Sequence, residues 1–457
     1  MAGLKEKVDL QATCSVTQEV TQFLILLALA APPVGSPIQQ APQTKLETSQ
    51  EEFLSWVQES AIPVEPWQSN AELEAYLDRA LKGKRIVFIG EPGHFFSERQ
   101  DVQLLFIRSL VRRGYRHLFL EGLGASNAPV MDAYLQTGKP PVAGDSKRQQ
   151  EAQRYRERAF ESWVGAKGSD FQKRRSADRQ RFLDALREIQ QSLPETSPPL
   201  RIHPLDIDMQ PGACYGSMDE ILALYPEEPA LDWIRSQLAK IEGESIQDEI
   251  QRLEQLKKAM ETSPDQHFGA LSAAHRLDLF KFLDCLIETI VFFDSARTDG
   301  SLNRALVRRE PAMYRQVQYG LDSLPKGAKA IMIGHNNHLC RASGTIPRAR
   351  KPSMGERIVK ANPGQVFCIW MLHDHGWLLN PMAKEPIERL DSDPSRVESL
   401  LAKAGSLFLL PLGSGKPGES YLAKPRRHSY FSWSETSTLS RQTDAIFFLE
   451  KISPLHE

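Results

Sequence analysis

The chain has 457 residues, of which 41% are hydrophobic and 25% are charged. This balance supplies enough apolar side chains for a full hydrophobic core and is too polar for a bundle of membrane helices, so we predict a soluble globular protein. The 56 basic and 58 acidic residues nearly cancel, to a net charge of −2. That charge gives no general attraction for nucleic acids or anionic membranes.

An apolar run, FLILLALAAP, lies near the N-terminus at residues 23–32. It is too short to cross a bilayer but has the length of the core of a secretion signal. The segment before it mixes Lys5 and Lys7 with acidic residues, which argues against export. We predict a leader or signal-like segment over residues 1–45 and export to the periplasm or the medium. A cytoplasmic location is the alternative, and no stable membrane insertion is expected after leader removal.

Beyond the leader, strand-like and helical patterns alternate. The strand-like KRIVFIG (84–90), a helical pattern over 98–114 and the strand-like YRHLFLE (115–121) predict a β-α-β unit with parallel strands. Further strand candidates are 200–208, 328–334, 365–372, 406–412 and 443–450. Helical patterns predict insertions near 139–199 and 219–320. We therefore predict one α/β domain over residues 46–457, with a mainly parallel central sheet, flanking helices and a large helical insertion.

Reactive side chains stand at the carboxyl ends of the predicted strands. In an open parallel sheet, ligands bind beyond these ends. A lone buried histidine is usually structural, but five of the eleven histidines fall at this one edge, which favours a functional site. The residues at the strand ends are Glu91, His94, Glu121, Asp206, Asp208, His335, His338, His373, Asp374 and His375.

The spacing of Glu91 and His94 suits acid-base chemistry. A glutamate three residues before a histidine can orient the imidazole and hold its tautomer, leaving the other nitrogen to accept a proton from water. The alternative is that Glu91 caps the following helix. His335 and His338 share one face if a helix begins after Gly334. They are suited to binding a metal, donating hydrogen bonds to an oxyanion or protonating a leaving group.

Several segments carry a family resemblance in their order along the chain. They are FLSWVQESAIPV, IVFIGEPGHFFSERQ, YRHLFLEG, AIMIGHNNHLCRAS, KPSMGERI and TDAIFFLE, which together span residues 53–450. They resemble the signature blocks of the erythromycin esterase family, which include a Gly-Glu-x-x-His turn, a strand ending in Glu and a His-Asn-x-His turn. The resemblance implies a hydrolase of a small-molecule ester or lactone, without a cofactor and without a serine nucleophile. The sequence accordingly contains no G-x-S-x-G elbow.

The resemblance also implies roles for individual residues. His94 takes the role of general base on the hydrolytic water, and Glu91 and Glu121 are the buried carboxylates that orient it. His335 and His338 lie across the cleft on the substrate side. The residues implied in substrate binding or in support of the site are Glu98, Arg99, Asp208, Asn336 and Arg304.

Some positions depart from the family pattern. Phe95 and Phe96 follow the turn where the family has glycine, and we expect them to narrow the pocket mouth. A basic residue of the family in the next helix has no direct counterpart, and the residues near its place are Gln103, Arg99 and Arg108. Arg304 partly replaces a missing Arg-Asp pair. Because of these departures, macrolide hydrolysis is not predicted.

Two other classes of function stay open. A metal-dependent hydrolase or peptidase, or a haem- or metal-binding protein, would use His94, His335 and His338 as ligands, although no HExxH or CxxC pattern supports this. A non-catalytic binding module is favoured if His94 lies far from His335. Acidic and basic residues alternate in the charged segments of 139–199, which indicates solvated helix faces, so no nucleic-acid partner is expected.

Overall fold

The computed structural model describes residues 43–139, 157, 160, 163, 169–208, 211–225, 228–239, 241, 243–298, 302–346, 352–379, 387–430 and 433–455. Residues 1–42 of the predicted leader (1–45) lie outside the described residues, as does part of the predicted insertion near 139–199.

The described residues form strands and helices in alternation. The strands are β1 (Ile62–Pro63), β2 (Ile86–Glu91), β3 (Tyr115–Leu120), β4 (Arg201–Pro204), β5 (Lys329–His335), β6 (Val366–Leu379), β7 (Ile387–Leu390), β8 (Leu407–Pro411), β9 (Arg426–Tyr430), β10 (Trp433–Ser437) and β11 (Ala445–Ile452). The helices up to β4 are α1 (Gln43–Ser60), α2 (Ala71–Ala80), α3 (Glu98–Arg112), α4 (Ala128–Thr137) and α5 (Asp170–Gln191). Between β4 and β5 lie α6 (Pro211–Ala223), α7 (Asp232–Leu238), α8 (Ile246–Thr262), α9 (Pro264–Phe268), α10 (Ala273–Thr298) and α11 (Leu302–Asp322). After β5 come α12 (Met354–Ala361), α13 (Glu398–Leu401) and α14 (Leu439–Gln442).

Nine strands form the central sheet, in the order β1-β8-β11-β6-β2-β5-β3-β4, with β7 paired to β6. The pairings from β11 through β4 are parallel, whereas β8, β1 and β7 join antiparallel. Strands β9 and β10 form a separate two-stranded ribbon. The predicted fold class, an α/β protein with a mainly parallel sheet and a large helical insertion, is confirmed.

Strand β2 shows why the middle of the sheet reads as continuous apolar sequence. All six of its residues are buried. Val87 and Ile89 enter one hydrophobic cluster with α2 to α5, while Ile86 and Phe88 enter another with α1, α11 and α12. A parallel strand covered by helices on both faces needs apolar side chains at every position. Helices α6 to α11 contribute to a third cluster.

The strand order brings distant parts of the chain together at one edge. Glu91 pairs in register with His335, and Leu120 pairs with Ile333, so Glu91 and Glu121 flank the end of β5 from its two sides. The carboxyl ends of β2, β5 and β3 are therefore neighbours. None of the described helices combines the length and apolar character needed to cross a membrane.

One local expectation was wrong, and one condition is not met. Strand β6 continues to Leu379, so His373 to His375 lie within a strand and not after it. No helix begins after Gly334, because β5 runs through His335 and a tight turn follows. In that turn the carbonyl of His335 accepts hydrogen bonds from the amides of His338 and Leu339, at 3.0 and 3.1 Å.

Candidate active site

The turn after β2 holds Glu91 and His94 together. Glu91 is 2% exposed, and its Oε1 accepts a hydrogen bond from His94 Nδ1. Its Oε2 accepts from Gln103 Nε2 at 2.5 Å and from Arg99 Nη1 at 3.3 Å. Glu91 therefore orients the imidazole, and it does not cap α3, whose N-cap residue is Ser97. Gln103, near the place of the family's basic residue, also contacts the carboxylate.

Arg99 links Glu91 to helix α5. Its Nη2 lies 2.8 Å from Asp178 Oδ2, which also accepts from Gln100 Nε2 at 2.7 Å. Burial disfavours the charge of Arg99, but Glu91 and Asp178 outweigh it and raise its pKa. The charge of Arg99 is therefore fully paired.

Glu121, directly after β3, connects the separate parts of the site. Its Oε2 accepts from the main-chain amide of His335 at 2.6 Å. Its Oε1 lies 3.3 Å from His338 Nε2, 3.3 Å from Arg309 Nη2 and 3.9 Å from His94 Nε2. Burial favours the neutral acid, but His338, His94 and Arg309 prevail and hold the pKa of Glu121 well below its usual range. Glu121 is therefore a carboxylate surrounded by donors.

His338 stands between two carboxylates. Its Nδ1 lies 2.5 Å from Glu310 Oε1, and its Nε2 faces Glu121. Glu310 is held in turn, because its Oε2 accepts from the amide of Met354 at 2.7 Å. Burial opposes the charge, yet Glu310 and Glu121 raise the pKa of His338 to about 10. His338 is therefore an imidazolium at neutral pH.

His335 is 2% exposed and bonds through its ring to the main chain. Its Nε2 lies 3.1 Å from the Pro92 carbonyl, and its Nδ1 accepts from the amide of Asn337 at 3.2 Å. Burial and the nearby His94 hold the pKa of His335 well below its usual range. Its ring centre is 5.4 Å from that of His94 and 4.5 Å from that of Tyr430 on the β9 ribbon. Because both ring nitrogens are engaged, the arrangement does not favour His335 as a metal ligand.

The five residues implied as catalytic thus lie in one connected cluster. The side chain of His94 is 30% exposed, whereas those of Glu91, Glu121 and His338 are 3%, 10% and 14% exposed. The cluster therefore meets solvent mainly at His94. Because His94 lies beside His335, the condition that favoured a non-catalytic binding module is not met.

Sequence reasoning missed Arg309 and Glu310, which stand side by side on α11. Arg309 binds both carboxylate oxygens of Asp206, through Nε at 2.9 Å and through Nη2, and Nη2 also reaches Glu121. The side chain of Arg304, expected to act here, lies outside the described residues. The adjacent basic and acidic residues in the helix before β5 were the available signal.

Other predicted residues have structural contacts. Glu98 accepts a hydrogen bond from the amide of Ser453 at 2.8 Å, and Asn336, 1% exposed, donates to the carbonyl of Met371 at 3.1 Å. Arg108 is exposed on α3. The side chains of Glu98 and Asn336 therefore brace the site against β11 and β6, and the main-chain amide of Asn336 also donates to the carbonyl of Glu91 at 2.8 Å.

The expected narrowing of the mouth is wrong for one of the two phenylalanines. Phe96 is 2% exposed and belongs to the core, where its ring meets that of His373. Phe95 is half-buried, with its ring 5.1 Å from that of Phe171 and 5.8 Å from that of His94. Only Phe95 therefore stands beside the site.

Asp208 lies away from the cluster, in the core of the helical insertion. It accepts hydrogen bonds from the amide of Ser126 at 3.0 Å and from Cys214 Sγ at 2.9 Å. Asp208, Cys214 and Cys285 form the one group in the described residues whose potential metal-ligand atoms lie within 4.8 Å of one another. Burial raises the pKa of both thiols, so the group is a hydrogen-bonded core cluster of protonated thiols.

The fold and the site define an α/β protein with a centre of carboxylates and histidines at the carboxyl edge of its sheet. The family model for erythromycin esterase matches residues 110–452, about three quarters of the chain. The chain belongs to the erythromycin esterase family.

Individual relatives are distant. YbfO of Bacillus subtilis (strain 168), which carries a provisional hydrolase name, is 27% identical over 156 residues, and the match spans 32% of this chain and 35% of YbfO. The match therefore covers about a third of the length of YbfO.

Solved structures show the same fold. A Bacillus cereus protein superposes with a TM-score of 0.69 at 15% identity, covering 89% of this chain and 99% of its own. A succinoglycan biosynthesis protein gives 0.63 at 14% identity, with 91% and 100% coverage. A mutant of the erythromycin esterase EreC, in its open conformation, gives 0.61 at 17% identity, with 87% and 98% coverage.

Proposed function

We propose that this protein hydrolyses a carboxylic ester or lactone by attack of a water molecule that His94 deprotonates. The observation that carries the proposal is the His94 imidazole, with Nδ1 bound to Glu91 and Nε2 facing Glu121 Oε1 at 3.9 Å. In the neutral imidazole, Nδ1 carries the hydrogen that the Glu91 carboxylate accepts, so the lone pair lies on Nε2. We assign that nitrogen as the base, on a side chain that is 30% exposed.

Glu121 is suited to positioning the water. A water molecule can donate one hydrogen to His94 Nε2 and the other to Glu121 Oε1, which leaves its lone pairs free to face a substrate carbonyl. His94 takes one proton, the hydroxide oxygen bonds to the carbonyl carbon, and a tetrahedral oxyanion forms. His94 then returns the proton to the leaving alkoxide, and the acid and the alcohol are released.

The opposite side of the cluster supplies positive charge. His338 is protonated at neutral pH, and Arg309 lies beside it with Nη1 3.4 Å from His338 Nε2. Fixed cations in a partly buried cleft stabilise the charge that develops on the substrate oxygen. His335, neutral and bonded to the main chain, is assigned a positioning role.

The test is hydrolysis of p-nitrophenyl butyrate by wild type and by His94→Asn. A general base contributes about 10²-fold or more, so we expect kcat to fall by at least ~100-fold in the variant. His267→Asn is the matched control, because His267 lies on α9 with its ring stacked on Trp233. Circular dichroism checks that both variants fold.

A folded His94→Asn protein that keeps a tenth or more of the activity would refute the general-base role. The direct attack of water is tested separately, by mass spectrometry of enzyme quenched during turnover. We expect the mass of the unmodified chain, and an added butyryl group would show a covalent nucleophile instead.

A further inference from the structure

Helix α5 lies over the catalytic turn with one face toward the site. The ring of Phe171 contacts that of Phe95, the neighbour of His94, at 5.1 Å. Two turns later, Asp178 binds Arg99 at 2.8 Å. Phe171, Asp178 and Phe182 are all buried, and their helical spacing defines the inward face of α5.

Arg175 and Arg179 occupy this same face. Arg179 Nη2 lies 3.6 Å from the point that a Cβ on Gly122 would occupy, and Gly122 directly follows Glu121. Arg179 Nη1 also donates to the carbonyl of Trp163 at 3.1 Å, and its guanidinium lies 4.9 Å from the Trp163 ring centre. Arg175 stands one turn before Arg179 and one turn after Phe171. It therefore lies between the part of α5 near His94 and the part near Glu121.

Arg175 and Arg179 are both half-buried, and each lies near other positive charges. Burial lowers the pKa of Arg175 to about 10, and the neighbouring charge of Arg99 acts in the same direction. Burial, then Arg175 and Arg99, hold the pKa of Arg179 well below its usual range, and the more weakly acting Asp178 and Glu91 offset this only in part. Arginine nevertheless stays protonated at neutral pH.

Their pairing differs from that of the arginines around them. Arg99 and Arg181 each bind Asp178 at 2.8 Å. Within the described residues, neither Arg175 nor Arg179 forms an ion pair with a carboxylate. Two recessed positive charges without carboxylate partners are costly to the folded protein, and a bound anion would offset that cost.

We propose that Arg175 and Arg179 form an anion subsite beside the catalytic cluster, and that the substrate carries a carboxylate or phosphate group besides its ester bond. Guanidinium groups bind such oxyanions through paired, charge-assisted hydrogen bonds. An anion held there would fix the position of the ester relative to His94. The substrate class rests on the proposed hydrolysis, whereas anion binding itself does not.

The kinetic test compares mono-p-nitrophenyl glutarate, an anionic ester, with neutral p-nitrophenyl butyrate. In Arg175→Gln and in Arg179→Gln, we expect kcat/KM for the anionic ester to fall at least ~10-fold, mainly through KM. We expect the value for the butyrate to change less than ~2-fold. Lys173→Gln is the matched control, because it removes one positive charge from the exposed face of the same helix. Equal losses for both esters, or an equal loss in Lys173→Gln, would overturn the proposal.

Calorimetric titration separates the subsite from the catalysis. Glutarate and, in a second arm, inorganic phosphate are titrated into wild type and into Arg175→Gln. We expect at least one anion to bind wild type at least ~10-fold more tightly than it binds Arg175→Gln. The anion that binds wild type more tightly shows whether the subsite prefers a carboxylate or a phosphate. If both anions bind both proteins equally, or bind neither detectably, the proposed subsite is refuted. If glutarate binds as expected but neither ester is hydrolysed, the subsite stands and the proposed hydrolysis falls.

Discussion

Glu310 Oε1 lies 2.5 Å from Nδ1 of His338. Glu310 belongs to helix α11, which precedes β5, and it controls the charge of a histidine in the turn that follows β5. The other oxygen of Glu310 accepts from the amide of Met354 at the start of α12. The carboxylate is 2% exposed and held at both oxygens. His338 therefore keeps its proton at neutral pH because of the fold around it, and not because of its own short segment.

Glu310→Gln removes that support and should change the pH dependence of hydrolysis. The pKa of His338, raised to about 10 in the wild type, should fall, so the imidazolium loses its proton at a lower pH. We expect kcat/KM relative to wild type to be retained near pH 6 and to decline as the pH rises. The pH profile, together with an NMR titration of the imidazole, measures this. Glu288→Gln, which removes a partner of Arg315 on α11, should leave the profile unchanged.

Gln103→Leu should weaken both stability and activity. Gln103 is 2% exposed and donates to Glu91 Oε2 at 2.5 Å, so leucine leaves that oxygen with Arg99 alone. Loss of a buried hydrogen bond to a charged group typically costs ~1–3 kcal/mol. We expect urea unfolding to show a loss of this size and kcat to fall about 10-fold. Gln318→Leu, at a side chain that bonds Asp322 on the surface of α11, is the control. Equal effects of the two changes would show that Glu91 does not depend on Gln103.

Arg309→Met should destabilise the protein strongly. Asp206 is 0% exposed, and Arg309 binds both of its carboxylate oxygens. An unpaired buried charge typically costs ~3–5 kcal/mol. Urea unfolding should show this loss for Arg309→Met and a smaller one for Arg309→Met/Asp206→Asn. If the double variant is no more stable than the single one, the unpaired carboxylate is not the cause.

Gly334→Ala should disturb the position of Glu121 without a new charge or polar group. A Cβ at this position would lie 2.8 Å from Glu121 Oε2, the oxygen that accepts from the His335 amide. The carboxylate must move, and because it faces His94 Nε2, we expect kcat to fall about 10-fold while circular dichroism stays unchanged. Gly344→Ala, where a Cβ meets nothing within 4 Å, should keep full activity. Wild-type kcat in Gly334→Ala would show that the site tolerates displacement of Glu121.

The local sequence was most informative about functional residues that are close to one another in the chain. Glu91 and His94 are three residues apart, and the hydrogen bond between them follows from one turn. The strand ends were located by apolar runs, because a strand covered on both faces has no polar alternation. One wrong expectation concerns how far a strand extends. β6 continues through His373 because it pairs with β11 as far as Gly376, which its own residues do not reveal.

Amino-acid pattern alone determined the α/β class, the ends of β2, β3 and β5, and the placement of Glu91, Glu121 and His335 at those ends. Tertiary structure decided which of them meet, since the order β6-β2-β5-β3 places Glu91 and Glu121 beside His335. It also decided the charge of His338 and the presence of Arg309, Arg175 and Arg179 around the cluster. The physical reason is that these contacts join residues far apart in the chain. Strand order and helix rotation are set by packing between whole elements, whereas hydrophobic periodicity reports only which face of each element is buried.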